Sequence, residues 1–411
     1  MRPISLRLFT SHLAFKLLPA ALILNALYIL VYSNSATIVG NAESAAGQAS
    51  LLLIFSAGLT CMASCWTGVQ LRRTELIHMT AARPSWQVMG LWLAPSFLGG
   101  AAAQVAGVLG LLAFSGALPN TRFSLILLAQ CAALLVHLAL GYWLGKLLRP
   151  ALAYPLALLA SYLWLAFTWT LPITFVRYLA GPAMVMCCSP VEHIDPAAPV
   201  ALIVFSVVVG GSFLTLAIWQ GGRRLIKVGL AMAALAAGGG AGYTVAGHLG
   251  PVATSYLADG ELACAAQEPE VCVGKVSLAR GDLREQISSD FKKLQGIGLP
   301  QVRRAVIYRG ENTPALYEGT AYIAYPPTLT VDEAHRMVAS IYTSPLDRCT
   351  GAFLTEDNLE GFKRYSDSAD FLQARLTDYL SEDSFTPDRT QEEEIRELYA
   401  ALSICSLPEG T

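Results

Sequence analysis

Charge is what this sequence has least of. Of its 411 residues only 14% are Asp, Glu, Lys or Arg, while 54% are hydrophobic; a soluble protein of ordinary composition carries about a quarter charged residues. The shortage is also uneven. Residues 1–250 hold 13 Lys and Arg against 4 Asp and Glu, a balance of +9, whereas residues 251–411 hold 15 against 26, a balance of −11. So sharp a division implies two segments facing different solvents. Several motifs are absent as well. No P-loop is present and no G-x-G-x-x-G opens a helix, so the chain shows no nucleotide site of its own. His335 follows Asp332 and Glu333, but H-E-x-x-H is missing, which leaves a zinc peptidase without support. No nucleophile has a recognisable base around it, so no catalytic residue is assigned and an enzyme is not expected.

What is abundant is long apolar runs. Seven are long enough to cross about 30 Å of hydrocarbon: residues 15–32, 51–69, 88–115, 124–147, 152–175, 200–219 and 228–248. Backbone amides in lipid must be bonded within their own segment, so these runs read as helices. The first follows a basic start (Arg2, Arg7) but is too long for the apolar core of a signal peptide, and further spans follow it. Pro155 and Pro172 are expected near the ends of the fifth span, where a missing amide proton does least harm.

Orientation follows from the basic residues. With the N-terminus in the cytoplasm, the inner set is Arg2, Arg7, Lys16, Arg72, Arg73, Arg83, Lys146, Arg149, Arg223, Arg224 and Lys227, and the outer set only Arg122 and Arg177. Inner loops rich in Lys and Arg fix such a topology as N-in and C-out. Trp66, Trp92, Trp143 and Trp219 fall near the inner ends, where amphipathic rings belong. The expected architecture is a polytopic α-helical membrane protein of the plasma membrane: a six-helix domain over 1–220, a seventh span over 221–250, and a small extracytoplasmic α+β domain over 251–411.

Some residues within the spans stand out. Gly99 to Ala103, Gly107 and Gly110 in the third, and Gly238 to Gly242 in the seventh, let helix backbones approach closely, either within one chain or between protomers. Gln104, Gln130 and His137 are polar groups at membrane depth, a functional hypothesis by default, although a His bonded to a neighbouring helix is an equal reading. Glu192, His193 and Asp195 cluster in the outer loop before the sixth span; they could line an exit or bind a metal, but a solvated loop is the preferred reading. No metal site is assigned.

In the C-terminal part, Asp282-x-x-Glu285, Thr330-x-x-Glu333 and Thr390-x-x-Glu393 read as capping boxes that open helices. The second helix has Val331, Ala334, Met337, Val338 and Ile341 on one face; the last has Ile395, Leu398, Tyr399, Leu402 and Cys405. Residues 305–308 and 321–325 read as short strands. Cys264, Cys272, Cys349 and Cys405 allow three disulfide pairings in an oxidising compartment. Cys264 with Cys272, across the Pro269 turn, and Cys349 with Cys405 are preferred. Zinc is the alternative, but the spacing is not that of a zinc ribbon and no His stands near in sequence. Cys61, Cys65 and Cys131 lie in spans as small hydrophobes; Cys187 and Cys188 stay unassigned.

The most informative stretch is the inner loop from Leu71 to Gly90, short, amphipathic, basic at both ends and with Glu75 as its one acid. It reads as a coupling helix, lying on the inner membrane surface against a cytoplasmic partner, or as a loop of topology signals. Here the chain resembles the permeases of the type-2 ABC exporter family, whose first inner loop runs Arg, Gly-Thr, Glu, a leucine pair, then Thr-Pro. Arg73, Thr74, Glu75, Leu76 and Pro84 fall in the matching order, with Arg83 in place of the Thr and the Gly absent. Residues 1–220 have the matching span order, and the seventh span with a cysteine-bearing external domain is similar to permeases of actinobacteria. The resemblance implies that the chain carries no cofactor itself: ATP and Mg would be bound by a separate ABC ATPase subunit docked on this loop, and a second permease subunit would complete the path. The bilayer is the other partner; no nucleic acid is expected. The competing class is a membrane-anchored sensor or assembly protein acting through its external domain.

Overall fold

The computed structural model describes residues 11–32, 41–74, 85–168, 171–188, 192–219, 224–250, 253–256, 261–264, 268–274, 283–308, 315–317, 319–324, 331–343, 359–381 and 389–404. The chain divides into two compact units, the first made mostly of residues up to Ser255 and the second mostly of residues from Tyr256 onward.

The first unit is helical. It contains α1 (Leu13–Tyr32), α2 (Ala42–Gln48), a 3₁₀ turn (Ala49–Leu52), α3 (Leu53–Thr74), α4 (Ser85–Ser115), α5 (Thr121–Leu147) and α6 (Pro150–Phe167). After these come the short α7 (Thr174–Ala180), a 3₁₀ turn (Pro182–Met186), β1 (Glu192–Ile194), α8 (Ala197–Ile218), α9 (Arg224–Ala246) and β2 (Thr254–Tyr256), which pairs with β1. Among the described residues seven helical segments are long and apolar enough to cross a membrane, consistent with a multi-pass membrane protein. The second span begins at Ala42, nine residues before the apolar run at 51. Asn41 starts it: its side chain accepts from the amides of Glu43 at 2.9 Å and Ser44 at 3.1 Å, satisfying orphan donors of the first turn. Asn120 does the same for α5 through Phe123 N at 2.7 Å. The fifth span is shorter than the run 152–175. Its helix ends at Phe167, and Pro172 lies at a bend before α7, where its ring cannot continue a helix.

The second span is the hub. Within its apolar window 72% of residues are buried, against 17% for the first span and 11% for the seventh. The α3 helix packs on α1, α4, α5 and α6, while α8 lies between α5 and α9. Lipid gives no hydrophobic drive between helices, so close contact must come from small residues. Between α3 and α5 they are Gly68, Gly141 and Gly145: a Cβ on Gly141 or Gly145 would strike the Cys61 or Cys65 carbonyl, and one on Gly68 would come within 2.5 Å of Tyr142 O. The glycines of the third span serve the same purpose inside this chain, Gly99 against Ala14, Gly107 against Leu52 and Gly110 against Ile29. In the seventh, Gly238 meets Val209 and Gly242 meets Leu179, but Gly239 and Gly240 face open space.

The second unit has a five-stranded sheet of order β3 (Leu262–Cys264), β4 (Glu270–Gly274), β5 (Arg304–Tyr308), β7 (Thr320–Ala324) and β6 (Ala315–Tyr317). The central β4, β5 and β7 are parallel, and the edge strands β3 and β6 run antiparallel to their neighbours. The helices are α10 (Leu283–Gly296), α11 (Val331–Thr343), α12 (Leu359–Ser381) and α13 (Arg389–Ser403). A parallel β4–β5 pair needs a crossover, which α10 supplies. The core lies on one face of the sheet, where Val271, Ala305, Ala321 and Ile323 meet Phe291 and Tyr342. Tyr322, one register step away, is 39% exposed, as alternation along a strand requires.

Helices α10 and α11 begin directly after Asp282 and Thr330, while α13 begins at Arg389, one residue before Thr390. The buried face of α11 is wider than the expected one: Ala334, Val338 and Ile341 are buried and Met337 packs on the core, as expected, while Val331 is 52% exposed and His335, Ala339 and Tyr342 are buried as well. In α13 Ile395 and Leu402 are buried, with Leu398 and Tyr399 packed beside them. Helix α12 has no counterpart in the sequence reading, although Tyr365, Leu372, Leu376 and Leu380 recur at a helical period.

Candidate functional site

A polar centre lies inside the helical unit where α2 gives way to the 3₁₀ turn. The tighter turn leaves main-chain carbonyls open to side-chain donors. Gln104 of α4 donates to Ala49 O at 2.9 Å, and Gln130 of α5 to Ala46 O at 2.7 Å. Gln104 Nε2 also donates to Gln130 Oε1 at 2.9 Å, and Ser56 Oγ of α3 donates to Gln104 Oε1 at 2.5 Å. All three side chains are fully buried. Three spans are thus tied at one point. Nearby, Asn25 Nδ2 donates to Ala103 O at 2.8 Å. His137 is bonded to Ser161 of α6 at 2.9 Å, and His12 to Thr67 at 3.1 Å, so each of these imidazoles has a partner on a neighbouring helix.

A second polar cluster gathers around Glu43, which is 4% exposed. Its Oε1 accepts from Asn120 Nδ2 at 2.9 Å and faces Arg122 Nη1 at 4.0 Å; its Oε2 accepts the amide of Ile194 at 2.9 Å. A buried carboxylate is tolerable only with such partners. Glu43 therefore joins the starts of the second and fourth spans to β1. Next to it Ser44 Oγ donates to Cys187 O at 3.2 Å, and the adjacent Cys187 and Cys188 are bonded to each other. Sequence reasoning missed Glu43. The available signal was that it is the only acid between residues 1 and 74, placed two residues after an Asn suited to an N-cap. From the expected outer-loop cluster, Asp195 caps α8 through Ala197 N at 2.9 Å and accepts from Ser255 Oγ at 3.1 Å. Tyr178 of α7 donates to Gly250 O at 2.5 Å; burial pushes its pKa up to about 12, so it acts as a neutral donor.

Of the loop residues singled out for docking, Arg73 and Thr74 form the last turn of α3. Glu75, Leu76, Arg83 and Pro84 lie outside the described residues. Just before them, Arg72 Nη1 donates to Lys146 O at 3.4 Å. Cys264 and Cys272 are bonded across β3 and β4, with Cα atoms 4.0 Å apart; Cys349 and Cys405 lie outside the described residues. Two groups place three metal-ligating atoms together among the described residues: Glu43 with Cys187 and Cys188, and Glu270 with Cys264 and Cys272. In both, the sulfurs are joined to each other, which removes the thiolates a metal would need.

Among its described residues the second unit holds one fully buried acid, Asp290 of α10. Its Oδ2 lies 2.8 Å from His335 Nδ1 of α11, and Gln286 Nε2 donates to its Oδ1 at 2.9 Å. Burial raises the carboxyl above its ordinary value, and His335 pulls it back down. The dyad has the partners of a structural pair, linking two helices across the core. The chain matches no family model, no curated protein and no solved structure, so its function must be argued from its own residues.

Proposed function

We propose that the chain is the membrane-spanning subunit of an exporter driven by a separate ABC ATPase, with its second unit on the extracytoplasmic side. The observation that carries this reading is that α3 and α4, the two helices adjoining residues 75–84, are the two that hold Ser56 and Gln104. A load applied at Arg73, Thr74, Glu75, Leu76, Arg83 and Pro84 is passed along α3 and α4 to that bond, and through Gln130 to α5. Because α3 also packs on α1 and α6, tilting it moves most of the bundle. Nucleotide binding on the partner biases two such arrangements only insofar as the partner's affinity differs between them. The skew of basic residues to the α3–α4 loop and the other loops of that end supports placing it in the cytoplasm. ATP and Mg belong to the partner, and a second membrane subunit completes the path.

Affinity purification of the full chain in mild detergent tests this. Wild-type protein should bring down an ATPase. Glu75→Arg should insert in normal amounts but retain its ATPase at least thirtyfold less well, since losing one partner of a buried charge pair costs about 2–5 kcal/mol. Glu192→Arg, on the other side, should retain it fully. An unaltered complex with Glu75→Arg removes the loop from the interface; no ATPase with the wild-type chain ends the exporter reading.

A further inference from the structure

Among the described residues, one end of the helical unit gathers cations and holds no carboxylate. Lys146, in the last turn of α5, donates its Nζ to Ala217 O at the end of α8, 3.0 Å away. Lys227, in the first turn of α9, donates to the carbonyl of Trp219 just beyond α8. Their acceptors, Ala217 O and Trp219 O, lie two residues apart in the chain, so both ammonium groups are held at the same helix end. Arg72 reaches the same place through Lys146 O, and Arg149 is the N-cap of α6. Among the described residues here the carboxylates Glu43, Glu192 and Asp195 stand at the opposite helix ends, at the start of α2, in β1 and at the start of α8. The α8 carbonyls bring the partial negative charge of a helix C-terminus, roughly half an elementary charge. Two full positive charges exceed it, so the junction calls for an anion.

The surroundings decide which kind. Trp219 is 42% exposed, and Lys227 Nζ lies 5.9 Å from its ring centre; Trp143 Nε1 donates to Phe213 O at 2.8 Å. Indole rings mark the level of lipid headgroups. From Lys227 inward, Val228, Met232 and Leu235 present one face of α9 that is 55%, 62% and 39% exposed. A free anion would neutralise the lysines and leave that face uncovered. An amphiphile covers both.

We propose that the paired Lys146 and Lys227 at the junction of α5, α8 and α9 bind the phosphate headgroup of an anionic phospholipid, its acyl chains lying along Val228, Met232 and Leu235. The site does not depend on the chain being a transporter. It differs from the general attraction of basic loops to anionic leaflets because two lysines are held in place by helix-end carbonyls.

Purified full-length chain, stripped of lipid in nonionic detergent, provides the test by native mass spectrometry and thermal unfolding. The probes are phosphatidylglycerol, phosphatidylcholine with the same acyl chains, and inorganic phosphate. Phosphatidylglycerol should be retained and raise the unfolding temperature; the other two should do neither. K146Q/K227Q should weaken phosphatidylglycerol binding by tenfold or more, on the order of what two surface cations supply. K146R/K227R should keep it, and R177Q, remote from the junction, should leave it unchanged. Should the double glutamine variant not be recovered folded, K227Q alone carries the comparison, because Lys227 is half-exposed at a helix start. Equal retention of the two lipids, unaltered binding by the lysine variants, or displacement of phosphatidylglycerol by equimolar phosphate would each overturn the proposal.

Discussion

Asp290 and Glu43 are both buried acids, but they are stabilised differently. Glu43 is held by two neutral donors with Arg122 at a distance. Asp290 depends on His335 and Gln286 in an otherwise apolar core, and burial lifts its pKa above 3.8. A folded-state pKa above the unfolded one contributes stability that is complete below the unfolded value and is lost as pH rises through the folded value. His335→Leu removes the group that restrains this loss. It should therefore destabilise the second unit by about 3–5 kcal/mol near neutral pH, where an unpaired charge is stranded. At acidic pH the cost should shrink, since Asp290, its pKa raised by burial, then takes up a proton. Hydrogen exchange of α10 and α11 in the purified chain measures this; equal loss of protection at both pH values would contradict it. Neither pairing was legible in the sequence. Asp290 and His335 are 45 positions apart and Glu43 and Ile194 are 151 apart, and no local period signals such contacts.

Among the elements, the seam between α3 and α5 brings backbone against backbone. A methyl group on Gly145 has no space beside the Cys65 carbonyl, whereas one on Gly240 meets nothing. Gly145→Ala must push two buried spans apart, and overpacking of this kind costs about 1–3 kcal/mol. Gly240→Ala should be neutral or slightly stabilising, as alanine restricts the unfolded chain more than glycine does. Thermal unfolding of the two variants in detergent should separate them, and a Gly145→Ala protein as stable as Gly240→Ala would show that the seam yields easily. Small residues in the third and seventh spans were visible in the sequence as crowds. Gly68, Gly141 and Gly145 are scattered singly along two helices, so their joint importance emerges only when those helices are laid together.

At the scale of the whole molecule, the charge division near residue 250 coincides with the passage from a helical bundle to a unit containing a sheet. If the basic loops face the cytoplasm, an odd number of spans carries the second unit across. A reporter active only in the cytoplasm, fused after Thr411, should then be silent while the same reporter placed after Arg149 is active. Activity at both positions would reverse the placement of the second unit and take the exporter topology with it.

The sequence by itself determined that seven segments can cross a bilayer, because mean apolarity over about twenty residues is a local property that no tertiary contact alters. It also indicated two helix starts in the second unit, where an Asp or Thr at the cap acts on the next turn alone. Tertiary structure decided the rest. The second span gained nine residues through Asn41 and its packing; the fifth lost its end to Pro172; the α11 face widened to bury His335 against Asp290. The carbonyls freed at the α2–3₁₀ junction gave Gln104 and Gln130 their partners, and the glycine seam made α3 the hub. Each of these outcomes depends on which distant backbone comes near, and hydropathy and local propensity carry no record of that.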